Sequence, residues 1–319
     1  MNTTRVPSPA EIRAAALRIA PYVNHTPVLS SRSLNKWLDS ELFFKCENFQ
    51  KVGAFKARGA MNALLSLSTG QIQAGVATHS SGNHAQALSW AASLLKTSAY
   101  IVMPSNSSPV KVEAVKGYGG IITFCEPNLE ARETMLARVI KETGAREIHP
   151  YNDPGIIAGQ ATAALELLEE VCDLDLVMAP VGGGGLLSGT SLSVSYFHPF
   201  ARVIAAEPEQ ANDAFLSFTS KLFVPSVNPQ TIADGLRTSL GSLTFPIILD
   251  HVHEIVTVSE SAIIEAMRYL WEHLKILAEP SSAVPFAAIR EGKVDVSKKR
   301  IGIIISGGNV DLDHLPWLI

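Results

Sequence analysis

The sequence lacks the features that mark secreted proteins, membrane-spanning proteins and proteins stabilised by a structural zinc site. Its 319 residues include three cysteines, Cys46, Cys125 and Cys172, which form no CxxC pair. So sparse a set builds neither a disulfide framework nor a zinc site. No run of about 18 apolar residues predicts a spanning helix. The polar start, Met1 to Pro9, does not resemble a signal peptide.

The sequence also has no large excess of charge of either sign. Twenty-six Lys and Arg stand against 30 Asp and Glu, a formal charge of −4, and no basic block occurs. Nucleic acids and anionic membranes are bound through basic patches, so we expect neither as a partner. The hydrophobic fraction of 47% is ordinary for a globular chain. We therefore expect a soluble, cytoplasmic protein.

Short apolar runs alternate with amphipathic stretches. The runs predict strands at residues 42–44, 76–77, 100–103, 121–124, 176–179, 203–206, 254–258 and 300–305. The stretches predict helices at 55–67, 84–95, 108–118, 129–143, 155–171, 186–196 and 260–274, after a first helix capped by Ser8 with Pro9 and Glu11. This alternation favours an α/β fold with largely parallel sheets, in which ligands bind beyond the carboxyl ends of strands.

The chain is long enough for about two domains, yet no linker divides it. We therefore expect one domain to be inserted in the other. The predicted large domain consists of residues 1–67 and 151–319, the small domain of residues 68–150, and a cleft between them holds the active site.

Two glycine-containing loops follow predicted strands. The first consists of Gly182, Gly183, Gly184 and Gly185 and precedes a helix, where converging N–H groups favour phosphate over the alternative of a flexible turn. The second runs from Ser306 to Asn309, and its serine could bond a ligand ring nitrogen, although a plain turn would look the same.

Two further loops open helices. Residues 80–84, Ser-Ser-Gly-Asn-His, could hold a carboxylate or could be an ordinary helix cap. Lys56 stands in the first turn of an apolar helix, where burial and the helix dipole disfavour its charge. An amine that loses its proton easily is a nucleophile, although a lone lysine is more often a solvated surface residue.

Six segments, in this order, resemble one family. The segments FFKCENFQKVGAFKARGA, THSSGNHAQAL, PVGGGGLLSG, AAEP, TIADG and SGGNVD are similar to the fold-type II pyridoxal-phosphate enzymes, above all serine racemases and the serine/threonine and hydroxyaspartate dehydratases. The resemblance implies two αβα sandwich domains like those of the tryptophan synthase β chain, with the large one binding the cofactor. It also implies α,β-elimination, racemisation or both on small hydroxy-amino acids, with hydroxyaspartate dehydratase and aspartate racemase as alternatives.

The resemblance also implies roles for individual residues. Lys56, beside Phe55, would carry pyridoxal phosphate as a Schiff base and take the substrate α-proton. The four glycines would hold the phosphate, Ser306 would face the pyridine nitrogen and Asn83 the ring hydroxyl. Ser81 would act as acid or base on the opposite face. The substrate carboxylate would lie among Ser80, Ser81, Asn83, His84 and Arg132.

A metal site is implied in the stretch EPEQAND. Relatives bind Mg²⁺ or Ca²⁺ (Mn²⁺ is an alternative) through residues that match Glu207, the Ala211 carbonyl and Asp213, all hard oxygen donors. Without the family, the stretch would be interpreted as a capped helix start. His251 and His253 lack nearby ligands, so we expect no metal there.

Further expectations concern assembly and substrate. The family implies a homodimer, and Asn24, Lys51 and Lys111 stand where some racemases bind a nucleotide effector. Because the chain stops at Ile319, we expect no C-terminal effector domain. At residues 278–283, AEPSSA, relatives usually have a hydrophobic residue before Glu-Pro and Thr-Ala/Gly or Ser-Gly after it.

The competing classes are a nucleotide-dependent dehydrogenase, which the lack of GxGxxG disfavours, and a catalytically silent ligand-binding relative.

Overall fold

The structure is a computed structural model that describes residues 5–80 and 82–318. Its strands are β1 (Val28–Leu29), β2 (Glu41–Cys46), β3 (Val76–His79), β4 (Ala99–Pro104), β5 (Ile121–Cys125), β6 (Arg146–Glu147), β7 (Leu176–Pro180), β8 (Arg202–Pro208), β9 (Glu254–Val258) and β10 (Arg300–Ile305). Its α-helices are α1 (Pro9–Ile19), α2 (Arg32–Leu38), α3 (Lys56–Leu65), α4 (Thr69–Ala74), α5 (Asn83–Leu94), α6 (Pro109–Gly117), α7 (Leu129–Thr143), α8 (Pro154–Glu170), α9 (Gly185–Phe197), α10 (Asp213–Ser220), α11 (Thr244–His251), α12 (Glu260–Leu274) and α13 (Pro280–Arg290).

The strands form two sheets. The larger has the order β1-β2-β10-β7-β8-β9 and the smaller the order β5-β4-β3-β6. Neighbouring strands run parallel throughout, except that β1 pairs with β2 in the antiparallel sense. The prediction of an α/β protein with largely parallel sheets is confirmed. All strands of the smaller sheet lie within residues 68–150, where we predict the inserted domain, although its boundaries remain a prediction.

Local sequence signals explain where two of the helices begin. The Ser8 side chain accepts from the Glu11 N–H while Glu11 accepts from the Ser8 N–H, so the predicted capping box of α1 is confirmed. Asp153 caps α8 with its side chain alone, which accepts from the Ile156 N–H at 3.0 Å. The cap fixes where the chain turns from the segment after β6 into α8.

Helix α3 is the element that bridges the two halves of the fold. It packs against α5 beside the smaller sheet and against α8 beside the larger one. At the α8 contact the two backbones nearly touch, because a Cβ on Gly159 would lie 2.6 Å from Gly59 Cα. This close approach leaves the first residue of α3 at the boundary between the two sheets.

A buried ion cluster anchors the first turn of α3. Arg58 is fully buried, and its guanidinium donates to Glu47 at 2.7 and 2.8 Å and to Glu166 at 2.6 and 2.8 Å. Lys45 Nζ also lies 2.7 Å from Glu166, so two cations face two carboxylates. Because Glu47 follows β2 and Glu166 lies on α8, the cluster ties α3 to both elements.

No helix within residues 5–80 and 82–318 is both long and apolar enough to cross a membrane.

Candidate active site

Lys56 is the first residue of α3 and so lies in the first turn of this helix, as the sequence predicts. Its side chain points to the boundary between the sheets, where Nζ donates to the Pro150 carbonyl at 2.9 Å. Nζ also lies 5.0 Å from the centroid of the Phe55 ring. Burial lowers the pKa of Lys56 to about 8, and the negative charge of Glu279 partly opposes this shift. The amine is therefore easier to deprotonate than a solvated lysine.

Backbone contacts place Ser306 beside the loop that carries Lys56. The Phe55 N–H donates to the Ser306 carbonyl at 2.9 Å, and Ala54 and Gly307 form an antiparallel bridge. Ser306 directly follows β10 and is buried. The lysine loop and the last glycine-containing loop are therefore neighbours in the structure.

The tetraglycine segment forms a buried turn between β7 and α9. Among the described residues, no acceptor is bonded to the N–H groups of Gly182, Gly183, Gly184 or Gly185. Side chains would not fit here: a Cβ on Gly183 would lie 2.3 Å from the Tyr151 ring, and Gly184 has φ +87°. Free N–H groups at the start of a 13-residue helix are what a phosphate requires.

Tyr151 joins this turn to the lysine, and the sequence did not predict its role. It follows Pro150, whose carbonyl accepts from Lys56, and its ring covers the tetraglycine turn. Burial, with the charge of Asp213, raises the pKa of Tyr151 to about 12, so the phenol stays protonated. Lys56 contacts Pro150 and the tetraglycine turn contacts Tyr151, so these two consecutive residues lie between the lysine and the turn.

Asn83 connects the smaller sheet to the larger one across the site. Its Nδ2 donates to the two Glu279 oxygens at 3.0 and 3.1 Å, and its Oδ1 accepts from Asn309 Nδ2 at 2.9 Å. Glu279 is buried, and burial together with the charge of Asp234 raises its pKa to about 7. Sequence analysis missed Glu279, although the departure at residues 278–283 marked its surroundings.

The Ser80–His84 loop is described except for Ser81, which lies outside the described residues. The Gly82 N–H donates to Ser80 Oγ at 3.3 Å. His84 is buried and its Nε2 lies 3.2 Å from the Ile148 carbonyl, while burial and the charge of Lys56 hold its pKa well below the usual range. With His84 neutral, the α5 N-terminus, which no described side chain caps, can attract a carboxylate.

Arg132 lies beside His79 at the end of β3. After burial, the Arg132 charge is the second cause that lowers the pKa of His79. Arg132 Nε is buried and has no hydrogen-bond partner among the described residues. A buried guanidinium nitrogen without a partner close to the Ser80 loop is suited to an anionic ligand.

The residues predicted to bind a metal lie together at the end of β8. Glu207 is fully buried and accepts from the Ala214 and Phe215 N–H groups at 3.0 and 2.8 Å, so it also caps α10. Both Asp213 oxygens are buried without a hydrogen-bond partner among the described residues. Burial raises the pKa of Asp213 to about 6 and, with the Asp213 charge, raises that of Glu207 well above its usual value.

Two carboxylate oxygens without a described partner fit a cation, and the Ala211 carbonyl, two residues earlier and likewise unbonded among the described residues, adds a donor. No cluster of three or more His, Cys, Asp or Glu side chains occurs in the described part of the chain, however, so any metal would need carbonyl and water ligands. His251 and His253 belong to no such cluster either.

Comparisons with known proteins decide which chemistry this geometry belongs to. The model of the family described as "Pyridoxal-phosphate dependent enzyme" matches residues 19–307. The chain belongs to this family. It is 50% identical to the beta-hydroxyaspartate dehydratase of Paracoccus denitrificans, covering 98% of this chain and 99% of the relative. It is 47% identical to the serine racemase of Dictyostelium discoideum, covering 97% of each chain.

Structural comparison agrees. The structure of maize serine racemase superposes with a TM-score of 0.94 at 46% identity, covering 97% of this chain and 95% of that one. The predicted fold-type II architecture is therefore confirmed, as is the expectation of a pyridoxal-phosphate enzyme. The residues present fit that cofactor: Lys56 supplies an amine, the glycine turn supplies N–H groups that no described residue accepts from, and Ser306 supplies a buried hydroxyl.

Proposed function

We propose that the chain catalyses α,β-elimination, racemisation or both on serine- and threonine-type hydroxy-amino acids. Elimination would release a 2-oxo acid and ammonia. The observation that carries the proposal is the Lys56 amine, which has a lowered pKa and is held by Pro150 beside Ser306. The named activities of the dehydratase and racemase relatives support the same pair of reactions.

The contacts indicate which role the cofactor and each protein group would have in the reaction. The bound cofactor would supply an electron sink for negative charge at the substrate α-carbon. Lys56 would attach it and later move a proton at that carbon, while the glycine turn would hold the phosphate and Ser306 would meet the ring nitrogen. The α5 N-terminus, with Ser80, Asn83 and His84, would orient the substrate carboxylate.

Racemisation needs a second proton carrier on the opposite face, and we propose Ser81 for it because of the family resemblance. Replacing Ser81 with Ala should slow racemisation by roughly 10²–10⁴, the usual effect of losing an acid or base. Elimination should suffer less. Equal rates of racemisation in the wild type and the variant would refute a two-base assignment.

The decisive experiment is chemical trapping. The purified protein should be yellow, and borohydride should bleach it and fix the cofactor on the peptide containing Lys56. The Lys56→Ala variant should lack both properties and both activities, whereas Lys36→Ala, which removes an exposed lysine on α2, should retain them. Labelling of any other lysine would overturn the proposal, and a colourless, inactive protein would favour the silent ligand-binding alternative.

A second candidate, threo-3-hydroxyaspartate dehydratase, is favoured by one observation. The partnerless Nε of Arg132, near His79 and the Ser80 loop, could pair with a second substrate carboxylate. Assays of L- and D-serine, threonine, hydroxyaspartate and aspartate, for oxo acid and for enantiomer, separate these reactions. Arg132→Lys should reduce kcat/KM for hydroxyaspartate more than for serine, and equal losses would argue against a dicarboxylate substrate.

The proposal also includes a metal site, an oligomeric state, an effector site and a cellular location. We propose that Glu207, Ala211 and Asp213 bind Mg²⁺ (or Ca²⁺ or Mn²⁺), which the partnerless Asp213 oxygens support. The family resemblance supports a homodimer and a nucleotide effector near Asn24 and Lys51, although Lys111 is already paired with Asp234. The free cysteines support a cytoplasmic location.

A further inference from the structure

Ser226 lies in the loop that follows α10 (residues 221–230), which contains no helix or strand. Its neighbours Pro225 and Val227 are exposed, but its own hydroxyl oxygen is buried and has no hydrogen-bond partner among the described residues. A serine in an exposed loop usually directs its hydroxyl to water, and burial without a partner costs stability. The hydroxyl therefore requires a partner that the described part of the chain does not supply.

The buried hydroxyl is close to Asp213, to which the proposed function assigns a metal. Burial raises the pKa of Asp213, and the Ser226 side chain is the next largest influence and lowers it. Neither Asp213 oxygen, however, makes a hydrogen bond to a described residue. Three buried oxygen atoms without partners therefore belong to two neighbouring side chains, and a cation with its water ligands would give all three a partner.

Two sets of hydrogen bonds hold the loop against this site. Ser217 lies one turn after Asp213 on α10, and its hydroxyl accepts from the Val224 N–H at 2.9 Å and donates to the Val224 carbonyl at 3.3 Å. Two residues later the Ser226 N–H donates to Ser239 Oγ at 2.8 Å. The backbone on which the hydroxyl stands is therefore fixed by contacts that do not use the hydroxyl itself.

We propose that Ser226 is a positioning residue of the metal site, whose hydroxyl holds a water ligand of the cation proposed at Asp213. The inference rests on the proposed function, since it requires a cation there. Mg²⁺ in proteins usually keeps several water ligands, and each water has two hydrogens to donate. The Ser226 oxygen has two lone pairs that no described residue uses, and its own hydrogen can be donated to Asp213.

A positioning role differs from a structural role in two measurable ways. Loss of a group that orients metal ligands typically weakens metal binding by about 10- to 100-fold. Loss of a buried hydroxyl that has no partner should not destabilise the metal-free protein, because no hydrogen bond is broken there. Ser226→Ala should therefore lower the affinity for the metal without lowering the stability of the metal-free protein.

The probe is Mn²⁺, because its EPR signal separates the free ion from the bound ion. Holoenzyme is stripped of divalent cations with a chelator and then titrated with Mn²⁺. Ser226→Ala should raise the Kd by about 10- to 100-fold, while the urea midpoint of the metal-free protein should stay equal or rise. The control is Ser220→Ala, which removes an exposed hydroxyl that donates to the Leu216 carbonyl at 2.7 Å and should leave the Kd unchanged.

An unchanged Kd in Ser226→Ala, or an equal rise in Ser220→Ala, would overturn the inference. A metal-free Ser226→Ala protein that unfolds at a lower urea concentration, or does not fold, would also overturn it, because the hydroxyl would then have a structural role. If wild-type protein does not bind Mn²⁺, the proposed metal site fails together with this inference. If wild-type protein binds Mn²⁺ and Ser226→Ala binds it equally well, this inference alone fails.

Discussion

Replacing Glu279 with Gln should make the Lys56 amine more reactive. The carboxylate raises the pKa of Lys56 against the lowering caused by burial, and the net value is about 8. At pH 7 roughly a tenth of such amines are neutral, against roughly one in 2,500 for a solvated lysine. Gln retains a polar group opposite Asn83 but removes the charge, so the pKa of Lys56 should fall below 8.

The pH range of the effect follows from the pKa of Glu279, which is about 7. Below this pH the wild-type carboxyl is protonated, so the two proteins should behave alike. Between about 7 and about 8 the wild-type charge is present while Lys56 is still partly protonated, and the variant should be faster.

The assay is the rate of cofactor attachment to cofactor-free protein, followed by absorbance across both pKa values. The attachment midpoint should move to lower pH in Glu279→Gln and stay unchanged in the control Glu254→Gln, which alters an exposed carboxylate at the start of β9. A midpoint that rises, or that moves equally in both variants, would refute the electrostatic reasoning.

Three further predictions concern the surroundings. Arg58→Met should lower the free energy of unfolding in urea by about 3–5 kcal/mol because it strands buried carboxylates, against about 0.5 kcal/mol for the exposed Arg268→Met; equal losses would contradict this. Gly183→Ala should weaken cofactor binding by roughly 10- to 100-fold in a fluorescence titration, because its Cβ would meet Tyr151, whereas Gly70→Ala, with open space around it, should not. Mg²⁺ at about 100 times its Kd for the wild-type protein should raise the free energy of unfolding by about 2.7 kcal/mol. The increase should be smaller below pH 6, where Asp213 becomes protonated. An equal increase in Asp213→Asn at the same Mg²⁺ concentration would exclude the site.

The parts of the site that the sequence predicted are those that lie within one local segment. Lys56, the glycine turn and Ser306 each directly follow a strand or begin a helix, so strand-to-helix reasoning located them. Glu279 and Tyr151 were missed because their importance arises from contacts with residues distant in the sequence. Strands β1 and β6 were missed because two residues carry no periodic signal.

The hydrogen bonds of the Asn83 side chain are a further example of contacts between residues that are distant in the sequence. Asn83 belongs to α5, Glu279 precedes α13 and Asn309 follows β10, so the Asn83 amide binds segments from both sides of the boundary. Its orientation is fixed because the carboxylate requires the NH₂ group while Asn309 donates to the oxygen. An Asp at position 83 would place two carboxylates in contact, and one would have to take up a proton or move away. The amide is therefore required by the charge of Glu279 as well as by any contact with the cofactor.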